Sequence, residues 1–246
     1  MEYGNLLGTS IKTVLRNFVS YAIATVILSV GSILFVTAPP LLYGFVMMLA
    51  KGTRNEVVKG MDILDGFRNG NFVRSWKYML FVMIIAVLIS IIAMILLFFV
   101  GILSFGLMFT LGSSSSSIPE SVILAIVAIL YLAVLCIALI PVFFMLYMLP
   151  LYVIKGYDIT DALSESAAIV KSNIIASVII SLIVGFVALV GVLPYYAGLF
   201  LGWPVAFNLV IYITGVLLTT PLSQQILVNT TFELASFPFE KEQINK

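Results

Sequence analysis

Four stretches of this chain carry no charged side chain: residues 17–50, 78–119, 121–154 and 172–232. The shortest is 34 residues long, and a helix needs only about 20 apolar residues to cross a bilayer. Charged residues make up 9% of the chain and the mean hydropathy is +1.21, whereas a soluble domain is about one-quarter charged. A soluble fold is excluded. A net charge of +1 argues against a nucleic-acid partner, and a single cysteine, Cys136, cannot build a disulfide scaffold. Hydrocarbon offers backbone N–H and C=O groups no partner, so each crossing is a helix or part of a closed barrel. Long apolar runs without strict alternation favour helices. The expectation is an all-α, polytopic helical membrane protein forming one integral domain over residues 1–246.

The charges then set the number of crossings. Lys51, Arg54, Lys59, Arg68, Arg74 and Lys77 cluster between the first two runs. Lys12 and Arg16 lie in the N-terminal arm, and Lys155 and Lys171 flank the third polar segment. Residues 112–120 hold five serines, one glutamate and no base. Basic loops stay on the cytoplasmic side, so the arm and both basic segments are expected inside and the serine turn outside. Run 17–50 must then cross an even number of times. Proline ends or kinks a helix before it, which places a break at Pro39-Pro40, with a return leg from Pro40 to Ala50 short enough to be either a full crossing or a re-entrant half-helix. Its length and the prolines also mark it as a retained helix rather than a cleaved signal. With one crossing each in 78–119 and 121–154, and a second hairpin broken near Pro194, about six crossings result. Both termini are expected in the cytoplasm of a cell membrane, and the tail from Glu233 to Lys246 beyond the last span.

An offset of 156 residues brings the two ends of the chain into register. Leu7, Ile11, Val14 and Phe18 fall on Leu163, Ala167, Val170 and Ile174, each set on one helical face. Lys12, Thr13 and Arg16, and Asp161, Glu165 and Lys171, occupy the other faces, so each copy reads as an interfacial amphipathic helix leading into a span. Ser10 pairs with Ser166 and Asn17 with Asn173, and Pro40 to Gly44 echoes Pro194 to Gly198. These pairings suggest a parallel internal repeat over residues 5–50 and 161–204, with the helix pair 78–150 between. Thr25 and Ser29, matching Ser181 and Gly185 and extended by Ser177, would let the first and fifth helices approach closely, as small residues do in lipid.

In the basic segment, Thr53 and Glu56 have capping-box spacing, and Val57, Met61 and Leu64 recur at helical spacing. They predict a short surface helix from Arg54 to about Asp65, then a turn at Arg68 to Asn71 and an aromatic re-entry at Trp76 and Tyr78. Such a segment suits lipid headgroups or a partner, or serves only as a solvated topology signal. Asp62 to Arg68 is similar to the opening of the metal-binding signature of CDP-alcohol phosphotransferases. That chemistry requires further carboxylates, and the next acid is Glu120, beyond a span.

The absence of histidine removes HExxH metalloproteases, Ser–His proteolysis and histidine-ligated haem. No carboxylate lies within the four runs, which excludes an intramembrane aspartyl protease and argues against proton coupling. Cys136 is expected to serve packing. The neutral polar groups at depth are Asn208, Thr214, Thr219 and Thr220, with Asn17 and Asn173 at the interface. Such groups can line a site for a lipid or an apolar solute, or cap helices and bond to neighbours, and the structural use is expected. A bent aromatic turn is expected around Tyr195, Tyr196, Gly198, Gly202, Trp203 and Pro204. No catalytic, cofactor-binding or metal-binding residue is assigned.

The combination of Ser10 with Arg16-Asn17, Pro40 with Gly44, Lys59 with Asp65-Gly66-Phe67, and Asp161-Ala162-Leu163 with Ser166 and Asn173 resembles a group of uncharacterised bacterial and archaeal multi-pass membrane proteins. A similar domain is fused to some glycerophosphodiester phosphodiesterases. The resemblance implies a helical membrane domain of unknown activity; no phosphodiesterase catalytic domain is present in this sequence, so that enzymatic role is not carried over. The expected function is a non-enzymatic membrane module associating with membrane lipids or a partner membrane protein. The alternative is a permease-like carrier for a small or lipidic solute, favoured by a cavity lined by Asn208 and Thr219.

Overall fold

The computed structural model describes residues 2–113 and 120–235. Most of the serine turn (114–119) and the tail from 236 onward lie outside the described residues. Every regular element among the described residues is helical: α1 (Tyr3–Arg16), α2 (Phe18–Gly31), α3 (Ala38–Thr53), a 3₁₀ helix (Gly60–Phe67), α4 (Asn71–Ser113), α5 (Glu120–Phe144), α6 (Met148–Ile154), α7 (Ile159–Ser172), α8 (Ile174–Phe200) and α9 (Val205–Leu234). The chain is a helical membrane protein. Four helical segments are long and apolar enough to span a bilayer: Asn71–Gly106, Ser121–Ile154, Ile174–Phe200 and Val205–Leu234.

Contacts divide the chain into one unit of Met1–Met79 with Leu146–Lys246, and a second of Leu80–Met145. In the second unit, the outer faces of α4 and α5 are leucine, isoleucine and phenylalanine open to the surroundings. Its buried residues include Ser104, Ile123 and Val134. Cys136, expected to pack, is exposed instead.

The first unit is organised around α3. Pro39 and Pro40 occupy its first turn, where a missing N–H removes no helical bond, so the break expected there is the start of a helix. Its buried residues run from Pro39 through Phe45 and Leu49 to Gly52. Helices α2 and α3 have 14 and 16 residues, about 21 and 24 Å. The expectation of six crossings needed both to traverse about 30 Å of hydrocarbon. Helix α1 meets α2 at Asn17 with a bend of 83°.

Helix α3 also ends differently from expectation. Asn55 has φ 59°, and the Asn55 and Glu56 amides donate to Gly52 O (3.2 Å) and Lys51 O (3.0 Å). That is a Schellman closure, so Thr53 to Glu56 ends a helix rather than opening one. Glu56 to Lys59 is not helical, and the expected surface helix is replaced by the 3₁₀ helix, whose start is held by Lys59 N–H donating to Asp62 Oδ2 (3.2 Å). The turn before α4 falls where the sequence put it, with Asn69 and Gly70 at φ 52° and 78°.

Helix α8 continues through Pro194 and reverses at Gly202, φ 70°. Gly202 N–H donates to Leu199 O (3.2 Å) and Trp203 N–H to Gly198 O (2.9 Å), a second Schellman closure. Proline removes one bond, and a membrane helix tolerates this. The reversal needs a residue free to adopt positive φ, which glycine supplies.

The offset of 156 carries α1 onto α7 end to end. Buried Leu6, Ser10, Thr13 and Val14 fall on buried Ala162, Ser166, Ile169 and Val170. Tyr21 and Ala24 fall on Ser177 and Ile180, also buried. The buried face lies one residue round from the expected one; Ile11 is exposed. Beyond Gly31 the likeness ends, since Pro40 opens a helix and Pro194 lies inside one.

Candidate functional site

The charged segment after α3 folds back along it. Gly44 is closed against the 3₁₀ helix: a Cβ there would stand 1.9 Å from the Ile63 carbonyl oxygen, and Gly66 is equally tight against Pro40. Above this contact, Lys51 Nζ lies 3.2 Å from Asp62 Oδ2 and 3.1 Å from Asp65 Oδ2, and Arg68 reaches Asp65 Oδ1 at 3.3 Å. Burial alone would lower the Lys51 pKa, but the bonds to Asp65 and Asp62 and their charges outweigh it and hold the ammonium above its ordinary value. Both aspartates of the partial metal signature are thus bonded to a lysine. Among the described residues no three His, Cys, Asp or Glu side chains gather to hold a metal ion.

A second layer is neutral. Tyr21 Oη donates to Gln225 Oε1 (2.9 Å), and Gln225 Nε2 donates to Thr53 Oγ1 (2.8 Å) and Asn229 Oδ1 (2.9 Å). Asn229 Nδ2 donates to Ser10 Oγ (2.8 Å), whose hydroxyl donates to Leu6 O (2.8 Å). This network joins α1, α2, α3 and α9, and sequence reading missed it. Its signal in the sequence is the run of polar residues from Ser223 to Thr231, which includes Gln225 and Asn229. Ser166, the counterpart of Ser10, also bonds outside its own helix, accepting the amide of Tyr147, the residue that precedes α6, at 3.1 Å.

Two cationic side chains fasten the ends of the unit. Arg74 donates to Tyr152 O (3.3 Å) and Tyr157 O (3.0 Å) and stacks 4.9 Å over the Tyr152 ring. Lys155 bonds Glu165 (2.6 Å) and Ala235 O (3.0 Å). Its desolvation is outweighed by Glu165 and Tyr157, which keep its pKa raised.

The neutral residues singled out at depth do not converge. Asn208 is buried; its Nδ2 donates to Trp203 O (3.2 Å), while Oδ1 has no hydrogen-bond partner and rests against Gly198. Thr214 and Thr219 bond Val210 O (2.8 Å) and Gly215 O (2.9 Å) within α9. Thr220 accepts Ser223 Oγ on its carbonyl (3.0 Å), and Asn17 and Asn173 bond Thr13 O and Ile169 O. The small-residue contact is also relocated. Gly185 is exposed with nothing near it, and Ser181 bonds Val178 O (2.8 Å). Helix α2 packs on α3, α9 and the 3₁₀ helix, and α8 packs along α9. There a Cβ at Gly215 would stand 2.1 Å from Gly191 O, and one at Gly191 2.1 Å from Thr219 Oγ1. Closely spaced glycines pair α8 with α9, as small residues do where lipid supplies no hydrophobic drive.

An open groove of about 500 Å³ lies between α1, α8 and α9, lined by Leu7, Ile11, Ile183, Phe186, Val187 and Leu222 among others, with scarcely any polar surface. Its walls can hold an apolar chain and carry no group for acid–base or nucleophilic work. Comparison with protein-family models, curated proteins and solved structures finds no match for this chain.

Proposed function

We propose that this chain is a non-enzymatic membrane module with four crossings, one each by α4, α5, α8 and α9, and a protein layer on the inner membrane face built from the remaining helices. The observation that carries this reading is the sheathing of α3 by the 3₁₀ helix, whose Asp62 and Asp65 pair with Lys51 of α3 and whose Gly66 lies against Pro40. If α3 crossed the bilayer, these ionised groups would lie in hydrocarbon, where each costs several kcal/mol. Four crossings satisfy the same charge distribution as six: both termini and the basic segments stay inside and the serine turn outside. Helices α2 and α3 then lie at the inner interface, with the apolar tip Ile33 to Val36 dipping into lipid beside Trp76, which bonds Val36 O.

The module belongs to a cell membrane, on this reading, and works through contact with lipids or a partner membrane protein. The matched burial of α1 with α7 and of the first turns of α8 with α2 supports a parallel duplication of one two-helix unit, shorter than 5–50 and 161–204, whose second helix crosses the bilayer in one copy (α8) and stays at the interface in the other (α2). The likeness to the membrane domain fused to some glycerophosphodiester phosphodiesterases is proposed on the residues quoted for it, of which Pro40, Gly44 and Gly66 belong to one packed contact. The carrier reading is weaker. Asn208 and Thr219 are packed against α8 glycines, and the groove is apolar and open to the side.

The test is purification of the full chain from native membranes in mild detergent, with identification of co-purifying proteins and lipids. A reproducible lipid class or partner supports the module. Uptake of a solute by reconstituted vesicles, with neither recovered, would replace it with the carrier.

A further inference from the structure

The geometry points to a binding site for one anionic phospholipid of the inner leaflet, its acyl chain in the groove beneath α1 and its phosphate on Lys12. This rests on the placement of α1 at the inner face argued above. From Val205 to Leu222, α9 rises about 26 Å, close to the thickness of the hydrocarbon. The groove therefore opens at the depth where acyl chains meet headgroups. Its lining of Leu7, Ile11, Ile183, Phe186 and Leu222 offers a chain only apolar contact, and its volume of about 500 Å³ falls within the range of ligand sites.

Charge selects the lipid. Lys12 follows Ile11 directly, about 100° round α1 from the groove wall, and is exposed. Among the described residues it makes no ion pair. The one acid of this arm, Glu2, bonds Asn5 at the opposite end of the helix. Ser10 and Val14 turn inward, Leu7 and Ile11 face the groove, and Lys12 stands at the boundary between the apolar and polar faces. A lysine there extends its ammonium to the phosphate level and favours an anionic over a zwitterionic headgroup by about fivefold.

The full chain in mild detergent is titrated separately with phosphatidylglycerol and phosphatidylcholine, and retained lipid is counted by native mass spectrometry. Wild type is expected to hold one phosphatidylglycerol about fivefold more tightly than phosphatidylcholine. Lys12→Gln should abolish the preference and leave phosphatidylcholine binding intact. Ile11→Trp, or the milder Ile11→Phe, should weaken both lipids by filling the groove. Positions 11 and 12 are exposed, so a thermal melt like that of wild type is expected for each variant. Equal retention of the two lipids by wild type, or retention indifferent to the residue at position 11, would overturn the site. Labelling of Lys12→Cys from outside the cell, in a Cys136→Ala background, would instead overturn the underlying topology, whatever the lipid affinities.

Discussion

Gly66 lies so close to Pro40 that a Cβ on it would stand 1.8 Å from the Pro40 carbonyl oxygen. The first turn of α3 and the charged segment beyond its end are therefore at one level. Both glycines of this contact face backbone, which cannot swing aside as a flexible side chain does. Gly44→Ala and Gly66→Ala are each expected to destabilise the protein by about 1–3 kcal/mol, the range for overpacking. Thermal unfolding in detergent measures this. Gly8→Ala is the control: nothing lies within 4 Å, and alanine in an open helical position should be neutral or mildly stabilising.

The α8–α9 pair gives a matching contrast. Gly215→Leu should separate the helices and lower the melting temperature, because Gly191 O leaves no room for a side chain. Gly185→Leu, on the exposed face, should leave it unchanged. Equal melting of the two variants would remove the glycine-mediated contact.

Gln225 is fully buried and bonds Tyr21, Thr53 and Asn229. Gln225→Leu strips partners from groups that stay buried, and each such group costs about 1–3 kcal/mol. The expected result is a large loss of melting temperature, with hydrogen exchange accelerated in α1 and α3. Asn173→Ala, at a side chain that bonds Ile169 O and Ser172 Oγ at the end of the preceding helix α7, should cost far less.

The pH dependence follows from Lys51 and Lys155. Each has a folded pKa above its ordinary value of 10.5. The stability they contribute is fully present below that value and is lost as pH rises through the folded pKa. Melting temperature should hold between about pH 8 and 10 and fall at higher pH. In Lys51→Gln the starting stability should be lower and the alkaline fall shallower; an unchanged fall would mean that the Lys51 pairs contribute nothing.

The class of fold was legible because hydrocarbon imposes a single requirement, length without charge, and 78–119, 121–154 and 172–232 meet it plainly. Run 17–50 meets it too, yet α3 is covered by protein. Apolar sequence does not record whether lipid or another segment covers it, and the segment that does so carries Asp62 and Asp65, which read as solvated. Thr53 to Glu56 matched a helix start in sequence, but the left-handed Asn55 and the bond from Thr53 to Asn229 (2.7 Å) make it an end. Pro194 was the stronger breaker on paper, although a reversal depends on positive φ, and Gly202 supplied it. The buried face of α1 shifted by one residue because Ser10 reaches Asn229, a partner 219 residues away. Tertiary pairs of this kind leave no local periodicity to read.

Ser32 is exposed in the α2–α3 connection and separates four crossings from six. In a Cys136→Ala background, Ser32→Cys is probed with a membrane-impermeant thiol reagent on intact cells and on opened membranes. Labelling only after the membranes are opened is the result expected for an inner-face layer. Labelling of intact cells would carry α2 and α3 through the bilayer and contradict it.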